Sequence, residues 1–313
     1  MRILVLGAGT VGGYFGGRLA EAGADVTFLV RPTRAGLLAR QGLRIASPRG
    51  DLRLTVKCVT QEQARADYEL VLFTAKAYDL DGAIEAIAPA MGRAARVLPL
   101  LNGMAHMQAL DQRFGRERVL GGVAYIGATL AADGEIRHVN DVHRVLFGPR
   151  AASARPVCEA LLGAFAPAKA HAELVDEIEQ AMWNKWVFLA ALAGMTCLMR
   201  ASVGDIVATA TGDKLMLAML EQCAAVARAE GQPVAAPALQ NYRAMLTQEG
   251  SPLIASMLRD LEAGGPTEGG HILGALLTLA HSHGLEAPLL EAAATHLEAY
   301  AMRRRREAAA KAG

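Results

Sequence analysis

The sequence predicts an α/β fold in its first part and an all-α fold in its second. Short β-rich runs alternate with helix-like stretches from Arg2 to about Pro149, namely RILVLG, DVTFLV, ELVLFT and ARVLPLL, a pattern typical of βαβ units and a parallel sheet. After about residue 150 strand patterns end, and long stretches rich in Ala, Leu and Met follow. Because 313 residues is long for a single core, we predict two domains, residues 1–171 and residues 172–313.

Two turn signals inside the first part predict β-hairpins. The segment LRIASPRGDLRLTVKC turns at Gly50-Asp51, and GATLAADGEIRHV turns at Asp133-Gly134, where such dipeptides between alternating segments favour tight turns. In the second part, residues 173–200, 205–230, 236–248, 252–263 and 268–300 show helical periodicity. We expect each of these stretches to be helical.

A glycine-rich turn follows the first apolar strand and opens a helical pattern. It has the spacing GxGxxG and consists of Gly7, Ala8, Gly9, Thr10, Val11 and Gly12. The first glycine permits a tight turn, the second lets the backbone approach a pyrophosphate, and the third lets the helix pack closely on the sheet. The phosphates would bind N–H groups at the positive end of the helix. We therefore predict a Rossmann dinucleotide-binding domain; the alternative is a glycine turn without a ligand.

The residue after the second strand, DVTFLV, indicates which dinucleotide binds. It is Arg31, at a position where a site for NAD usually carries Asp or Glu to bind the ribose hydroxyls. A guanidinium can fork onto a phosphate, so the predicted cofactor is NADP, with Arg34 as a second candidate contact. The alternative is that Arg31 is an ordinary solvated cation.

Two polar residues end further strands of the predicted sheet. ELVLFTAK ends at Lys76, and ARVLPLLNG ends at Asn102-Gly103. Both lie at the carboxyl edge, where ligands bind in open α/β folds. We predict that Lys76 and Asn102 face a nicotinamide and a substrate; otherwise they are ordinary polar loop residues.

The second domain carries a lysine on an apolar helical stripe. Ile178, Met182, Leu189 and Leu192 recur at helical spacing, and Lys185 falls on the same stripe. A lysine among apolar neighbours must be paired, lose its proton more easily or line a cleft. The alternative is a lysine that extends its ammonium out to water. A lysine with a lowered pKa would suit acid catalysis.

Two more polar residues stand near helix ends. Ser251-Pro252 predicts the start of a helix and Gly264-Gly265 its end, which places Ser256 within that helix. Glu268 opens the next helical stretch. Taken alone, Glu268 is explained by the helix dipole, and Ser256 by a hydroxyl bonded back to the backbone.

Together these residues resemble the ketopantoate reductase (2-dehydropantoate 2-reductase) family over essentially the whole chain. The matching segments are GAGTVGG, Arg31, TAKAYD, LLNGM, WNKW and SMLRDLEAGGPTEGGHILG, of which the last is the most specific. The resemblance implies a C-terminal domain like that of 6-phosphogluconate dehydrogenase. It also implies an NADPH-dependent oxidoreductase that reduces a 2-oxo acid, ketopantoate, to the 2-hydroxy acid pantoate in pantothenate biosynthesis.

The resemblance assigns roles at the matching positions. Lys185 is implied to be the general acid, and Glu268 to bond the reacting hydroxyl and help to hold the lysine. Ser256 is implied to bind the substrate carboxylate. Lys76 and Asn102 are implied to line the nicotinamide and the substrate, so these two residues and Glu268 also count as candidate cofactor contacts.

The chain departs from the family pattern at two positions. Asparagines are expected four and eight residues after the lysine, but Leu189 and Ala193 stand there. A site without these amides should bind a polar substrate less well. The alternatives are therefore a reductase of a more apolar ketone or 2-oxo acid, or a non-catalytic module that senses NADPH.

Composition argues against several other classes. A net charge of +1 gives no reason to expect a nucleic-acid partner, and four cysteines without CxxC or zinc-like spacing predict no metal. The start MRILVLG leaves no room for a signal peptide. The longest uncharged apolar run has 14 residues, whereas a membrane span needs roughly 20. We expect a cytoplasmic protein without a membrane partner, and the apolar helices suggest a homodimer.

Overall fold

The computed structural model describes residues 1–312, with side chains up to residue 310. Its contacts divide the chain into two compact units. The first contains Met1–Leu101 and His106–Glu179, and the second contains Asn102–Ala105 and the residues from Gln180 on. The division thus falls at residue 179, whereas the predicted domain boundary lies at residue 171. The first unit is α/β and the second is helical, which confirms the predicted fold class.

Ten strands lie in the first unit, and helices occur in both. The strands are β1 (Arg2–Leu6), β2 (Asp25–Leu29), β3 (Leu43–Ala46), β4 (Leu52–Leu54), β5 (Lys57–Val59), β6 (Leu70–Phe73), β7 (Arg96–Pro99), β8 (Gly121–Leu130), β9 (Ile136–Gly148) and β10 (His171–Leu174). The helices are α1 (Thr10–Glu21), α2 (Pro32–Gln41), α3 (Leu80–Ile87), α4 (Ala105–Phe114), α5 (Arg155–Phe165), α6 (Ile178–Met199), α7 (Val203–Val207), α8 (Gly212–Ala229), α9 (Ala236–Leu246), α10 (Ser256–Glu262), α11 (Ala275–Ser282) and α12 (Pro288–Ala312).

The first sheet is parallel and has the strand order β5-β2-β1-β6-β7. Its central strands are buried along almost their whole length, which explains why they are continuous apolar runs rather than alternating ones. The chain proceeds from β1 to β2 on one side and later returns to β6 on the other. The gap between β1 and β6 is therefore the topological switch point, where open α/β sheets bind ligands.

The second sheet contains both predicted hairpins. β3 pairs with β4 and β8 pairs with β9, each antiparallel, and the predicted turns at Gly50-Asp51 and Asp133-Gly134 lie between them. Both turn glycines have positive φ, +101° at Gly50 and +83° at Gly134, which a glycine adopts without a steric penalty.

One strand lies where the sequence predicts none. We expected strand patterns to end near residue 150, but β10 pairs in parallel with β9, with His171 opposite Arg144. The sequence HAEL is only partly buried and shows no apolar run. It is a strand because β9 offers it a free edge, a tertiary cause that local patterning cannot reveal.

The core of the second unit is centred on α6. From Trp186 to Cys197 most of this helix is buried, and α8, α11 and α12 contribute Met219, Leu276 and Leu297 to the same core. By length and composition alone α6 could cross a membrane, but 67% of its apolar window is buried inside the protein. That burial is typical of the core helix of a globular unit.

The predicted helix start at Ser251-Pro252 is wrong, because α10 begins at Ser256. Backbone bonds to the start of α7 hold the preceding residues outside the helix. Val203 N donates to Leu253 O at 3.0 Å, and Gly204 N donates to Ser251 O at 2.9 Å. Carbonyls used in this way favour the extended path, so tertiary pairing overrides the local capping signal.

A buried arginine ties together three segments of the first unit. Arg150 is 4% exposed, and its Nη1 and Nη2 donate to the two carboxylate oxygens of Asp111 at 2.6 and 2.8 Å. Its Nε donates to Glu179 Oε1 at 2.8 Å. Arg116 reaches the same two carboxylates, but its side chain is 56% exposed.

We expect Arg150→Met to lower the free energy of unfolding by about 2 kcal/mol or more, because it leaves two carboxylates without their buried partner. Arg116→Met is the matched control and should cost less than about 1 kcal/mol, since exposed ion pairs contribute little. Urea denaturation followed by circular dichroism measures both. Equal losses in the two variants would contradict the assigned importance of burial.

Candidate active site

A cavity of about 890 Å³ opens at the carboxyl ends of β1, β2 and β6 in the first unit. Its walls come from four segments: the glycine-rich turn, the start of α2, the turn at residues 60–62, and the chain that leads from β6 into α3. The residues used below are Gly7, Ala8, Gly9, Arg31, Arg34, Ala75, Ala77, Asp79 and Asp81. A cavity at the switch point of a parallel sheet is the expected place for a dinucleotide.

Each of the three positions in the turn is occupied by glycine for a different structural reason. Gly7 has φ +89°, which requires glycine at the tight turn. A Cβ on Gly12 would lie 2.5 Å from the carbonyl oxygen of Gly7 and closer still to Thr74 Oγ1, so helix packing excludes any larger residue. A Cβ on Gly9 would meet no atom of the described residues within 4 Å. The cavity wall is therefore open above Gly9, which gives the space that an approaching pyrophosphate needs.

Helix α1 presents its N-terminus to this turn. Gly9 is the capping residue, and no side chain of the described residues caps the helix there. The first N–H groups of a helix, here those of Thr10, Val11 and Gly12, have no partner within the helix. They are donors at the positive end of the helix dipole, so the turn fits the phosphates of a dinucleotide.

Two arginines of the cavity wall have different partners. Arg31 precedes α2, its side chain is 82% exposed, and its Nη2 donates to Asp79 Oδ2 at 3.0 Å. Arg34 is partly buried, and its Nη2 donates to the backbone oxygens of Ala8 at 2.7 Å and Gly134 at 3.1 Å. Burial lowers the pKa of Arg34. Arg34 therefore braces the glycine-rich turn, whereas Arg31 faces the solvent side of the cavity.

Lys76 lies in the first unit, just after β6 and at the start of the short turn Ala77–Asp79. Its neighbours Ala75 and Ala77 both line the cavity. The structure thus places Lys76 at the carboxyl edge of the sheet beside the candidate dinucleotide site.

Three of the predicted site residues meet in the second unit. Lys185 is partly buried on α6, and its Nζ donates to Asn102 Oδ1 at 2.9 Å. Glu268 is 7% exposed and interacts electrostatically with the lysine. The cluster therefore joins an ammonium, an amide oxygen and a carboxylate from three separate parts of the chain.

Burial lowers the pKa of Lys185 to about 8, and the negative charge of Glu268 opposes part of that shift. The ordinary value for a lysine is 10.5. At pH 7 the side chain is still mostly protonated, by about ten to one, but it gives up its proton more readily than an exposed lysine does. Such a group can act as a general acid near neutral pH.

A π-helical segment begins two residues after Glu268. Residues Gly270–Gly274 form a π-helical segment, and the backbone oxygen of Glu268 accepts from His271 N at 3.1 Å and Ile272 N at 3.0 Å. The indole Nε1 of Trp186 donates to Ile272 O at 3.0 Å. Single π turns often occur at functional sites, and here the residue next to Lys185 supports the turn that carries Glu268.

His271 is a further residue of this site that the sequence patterns did not single out. Burial lowers the pKa of this imidazole, while Glu268 raises it, and a Cβ on Gly103 would lie 3.2 Å from its ring. His271 thus adjoins the Asn102-Gly103 segment and the glutamate. Its position three residues after Glu268, one helical turn away, was the available signal.

The remaining predicted residues lie outside this hydrogen-bonded group. Ser256 is the first residue of α10 and is exposed. Leu189 is partly buried and Ala193 fully buried, both on α6 after Lys185. Within the described residues no group of His, Cys, Asp and Glu side chains could hold a metal ion.

Comparison with known proteins matches both parts of the chain to one family. The model described as "Ketopantoate reductase PanE/ApbA" matches residues 3–152, and "Ketopantoate reductase PanE/ApbA C terminal" matches residues 177–301. The chain belongs to the ketopantoate reductase family. It is therefore an oxidoreductase that acts on CH–OH groups and uses a nicotinamide dinucleotide.

Individual relatives agree with this family assignment. "Uncharacterized oxidoreductase YkpB" of Bacillus subtilis (strain 168) is 38% identical over 228 residues, which cover 73% of this chain and 75% of the relative. A PanE/ApbA family ketopantoate reductase from Ralstonia eutropha JMP134 is 26% identical, covers 97% of this chain and 100% of its own, and has a TM-score of 0.88. The 2-dehydropantoate 2-reductase of Geobacter metallireducens GS-15 is 29% identical with a TM-score of 0.86, and the alignment covers 95% and 99% of the two chains.

The glycine-rich turn of this ketopantoate reductase family member yields a matched pair of substitutions. Gly12→Ala should lower the free energy of unfolding by about 1–3 kcal/mol through overpacking, because its Cβ would meet Gly7 O and Thr74. Gly9→Ala should change it by less than about 1 kcal/mol, yet weaken dinucleotide binding about tenfold or more by obstructing charge-assisted hydrogen bonds. Thermal unfolding and nicotinamide fluorescence titration measure the two effects. Unchanged dinucleotide affinity in Gly9→Ala would refute this placement of the phosphates.

Proposed function

We propose that this protein reduces a 2-oxo acid to the 2-hydroxy acid with NADPH. The observation that carries the proposal is the ammonium of Lys185, which is held by Asn102 and accompanied by Glu268. The family assignment supports the reaction class, because matched relatives are described as 2-dehydropantoate 2-reductases. A bound reduced nicotinamide supplies the hydride.

Lys185 supplies the proton in this proposal. Negative charge develops on the carbonyl oxygen as the carbonyl carbon is reduced, and a positioned ammonium stabilises that charge more in the transition state than in the ground state. Asn102 Oδ1 accepts one N–H of the ammonium and so helps to fix its direction. The charge of Glu268 opposes part of the fall in the pKa of Lys185 that burial causes, and we propose that its carboxylate also accepts the hydrogen of the product hydroxyl.

We assign substrate contacts to three further groups. Ser256, exposed at the start of α10, would donate to the substrate carboxylate at a helix N-terminus, where negative charge is favoured. Lys76 and Asn102 would line the nicotinamide and the substrate. The glycine-rich turn would bind the pyrophosphate.

NADPH is proposed over NADH because of Arg31. Its guanidinium follows β2 on the cavity wall and is largely exposed. It can bind a phosphate through two parallel hydrogen bonds, whereas an acidic residue at this position would bind the ribose hydroxyls of NAD. Arg34 already donates to two backbone carbonyls, which favours Arg31 as the phosphate ligand.

A substrate more apolar than ketopantoate is the second candidate, and one observation favours it. Leu189 and Ala193 follow Lys185 by one and two turns on the same face of α6. Neither side chain can donate or accept a hydrogen bond, so a hydroxyl on the substrate would lose its partner there. A 2-oxo acid with an apolar side chain has no hydroxyl there and so loses no hydrogen bond.

Lys185→Met should lower kcat for 2-oxo acid reduction about 10²–10⁴-fold, the usual contribution of one positioned acid, and leave the Kd for NADPH unchanged. The wild-type kcat/KM should fall as pH rises through about 8, since the lowered pKa of Lys185 means that its acid form is lost there. In the direction of oxidation the lysine must accept a proton, so the rate should rise over the same interval.

Lys214→Met is the control for that experiment, because Lys214 is an exposed lysine on α8 of the same unit. It should leave kcat and the pH profile unchanged. An unaltered rate in Lys185→Met would remove this lysine from the mechanism.

Ketopantoate and its analogue with hydrogen in place of the terminal hydroxyl form a matched substrate pair. We expect the wild-type protein to prefer the analogue in kcat/KM, and Leu189→Asn to shift that preference toward ketopantoate about tenfold, the value of one hydrogen bond. Leu189→Met is the control and should leave the ratio unchanged. Oxidation of NADPH is followed by absorbance. Tight NADPH binding without turnover of any 2-oxo acid would instead favour the non-catalytic sensor.

The cytoplasmic location, the role in pantothenate biosynthesis and the homodimer stay predictions of the sequence. The absence of a nucleic-acid or membrane partner is likewise still an expectation from charge and composition.

A further inference from the structure

One acidic side chain on the cavity wall has no part in the proposed reaction. Asp79 ends the short turn that leads from β6 into α3, and it lines the cavity together with Arg31. Its Oδ2 accepts a hydrogen bond of 3.0 Å from Arg31 Nη2. The guanidinium that the proposed function assigns to a phosphate is therefore already paired with a carboxylate of this chain.

The orientation of Asp79 is unusual for its position. It is the capping residue of α3, where aspartate commonly accepts a hydrogen bond from an N–H group of the first helical turn. Among the described residues its side chain makes no such capping bond, and its carboxylate binds Arg31 instead. The side chain thus serves the cavity wall rather than the helix end.

The pair is weak enough to exchange partners. The side chain of Arg31 is 82% exposed and that of Asp79 is 45% exposed, and ion pairs between such exposed groups contribute little stability. A phosphate monoester carries about −1.5 to −2 charges near neutral pH and accepts two parallel hydrogen bonds from a guanidinium. It can therefore displace the carboxylate from Arg31.

Displacement leaves an unfavourable contact behind. Once Arg31 binds a phosphate, the Asp79 carboxylate stays on the same wall, a few ångströms from a group of like charge. That repulsion and the lost ion pair oppose NADPH binding. NADH has no phosphate on its adenosine ribose and experiences neither effect.

We infer that Asp79 is a specificity-determining residue that lowers the affinity for NADPH relative to NADH by competing with the 2′-phosphate for Arg31. The inference rests on the proposed function in one respect, namely that Arg31 is the phosphate ligand. It does not depend on turnover, on the substrate or on which cofactor the wild-type protein prefers.

The test is a fluorescence titration of NADPH and NADH into the full-length protein and its Asp79→Asn variant. The substitution removes one charge and keeps a residue that caps helices equally well, so α3 should remain intact. We expect the Kd for NADPH to fall about fivefold at low ionic strength, as expected for removing a like charge at this range. The Kd for NADH should change less than about twofold.

Asp81→Asn is the matched control. Asp81 is exposed and lines the same cavity, so this variant loses an equal charge without touching the Arg31–Asp79 pair. It should change the ratio of the two Kd values less than about twofold. An equal shift in both variants would overturn the inference, because a general charge effect would then suffice.

Arg31→Ala separates this inference from the proposed function. If Arg31 binds the phosphate, Arg31→Ala should weaken NADPH binding selectively, and adding Asp79→Asn to it should restore much less affinity than in the wild-type background. A selective Arg31 effect with no Asp79 effect would overturn the inference alone. Equal gains in NADPH affinity from Asp79→Asn with and without Arg31 would also overturn it. If Arg31→Ala leaves NADPH binding unchanged, both proposals are overturned.

Discussion

The burial of one ammonium group constrains the helical unit. Lys185 lies on a helix whose buried side chains are mostly apolar, and a charge leaves water only where partners replace its hydration. Asn102 supplies an amide oxygen and Glu268 a carboxylate. Asn102 follows a strand of the first sheet, yet Asn102–Ala105 groups with the helical unit in its contacts, as its bond to Lys185 requires.

A π-helical segment follows Glu268, and the Ile272 carbonyl within it accepts the indole N–H of Trp186. Lys185 and Trp186 are neighbours on α6, so one short segment of helix carries the buried ammonium and binds the π-helical segment that follows Glu268.

Local patterns in the sequence were sufficient for most of the fold but not for the pairings that complete the site. The glycine spacing and the two hairpin turns rest on contacts close in sequence, and the structure confirms the turns. By contrast, β10 depends on the free edge of β9, and the delayed start of α10 depends on backbone bonds to α7. Neither cause can be recognised in the sequence of the segment whose structure it changes.

Pairs of charged and polar residues were the hardest feature to predict. Arg31 and Asp79 are separated by 48 positions, and Lys185 and Asn102 by 83. The sequence identified three of these residues as candidates, each for its own position in the fold, but not which would meet. His271 was missed because a spacing of three residues from Glu268 is not specific to a site, and only its proximity to Glu268 in the structure gives it meaning.

The Arg31–Asp79 pair and the Lys185 ammonium differ in their exposure to solvent. Arg31 and Asp79 are exposed, so their attraction is screened and either partner can be exchanged for another ion at little cost. The Lys185 ammonium is desolvated, which lowers its pKa, and the charge of Glu268 opposes part of that shift. Leu189 and Ala193 offer no side-chain hydrogen-bonding groups on the Lys185 face of α6, and the bond from Lys185 to Asn102 does not involve them. The residues proposed to select the substrate and the cofactor are therefore separate from those that surround the proposed acid, Lys185.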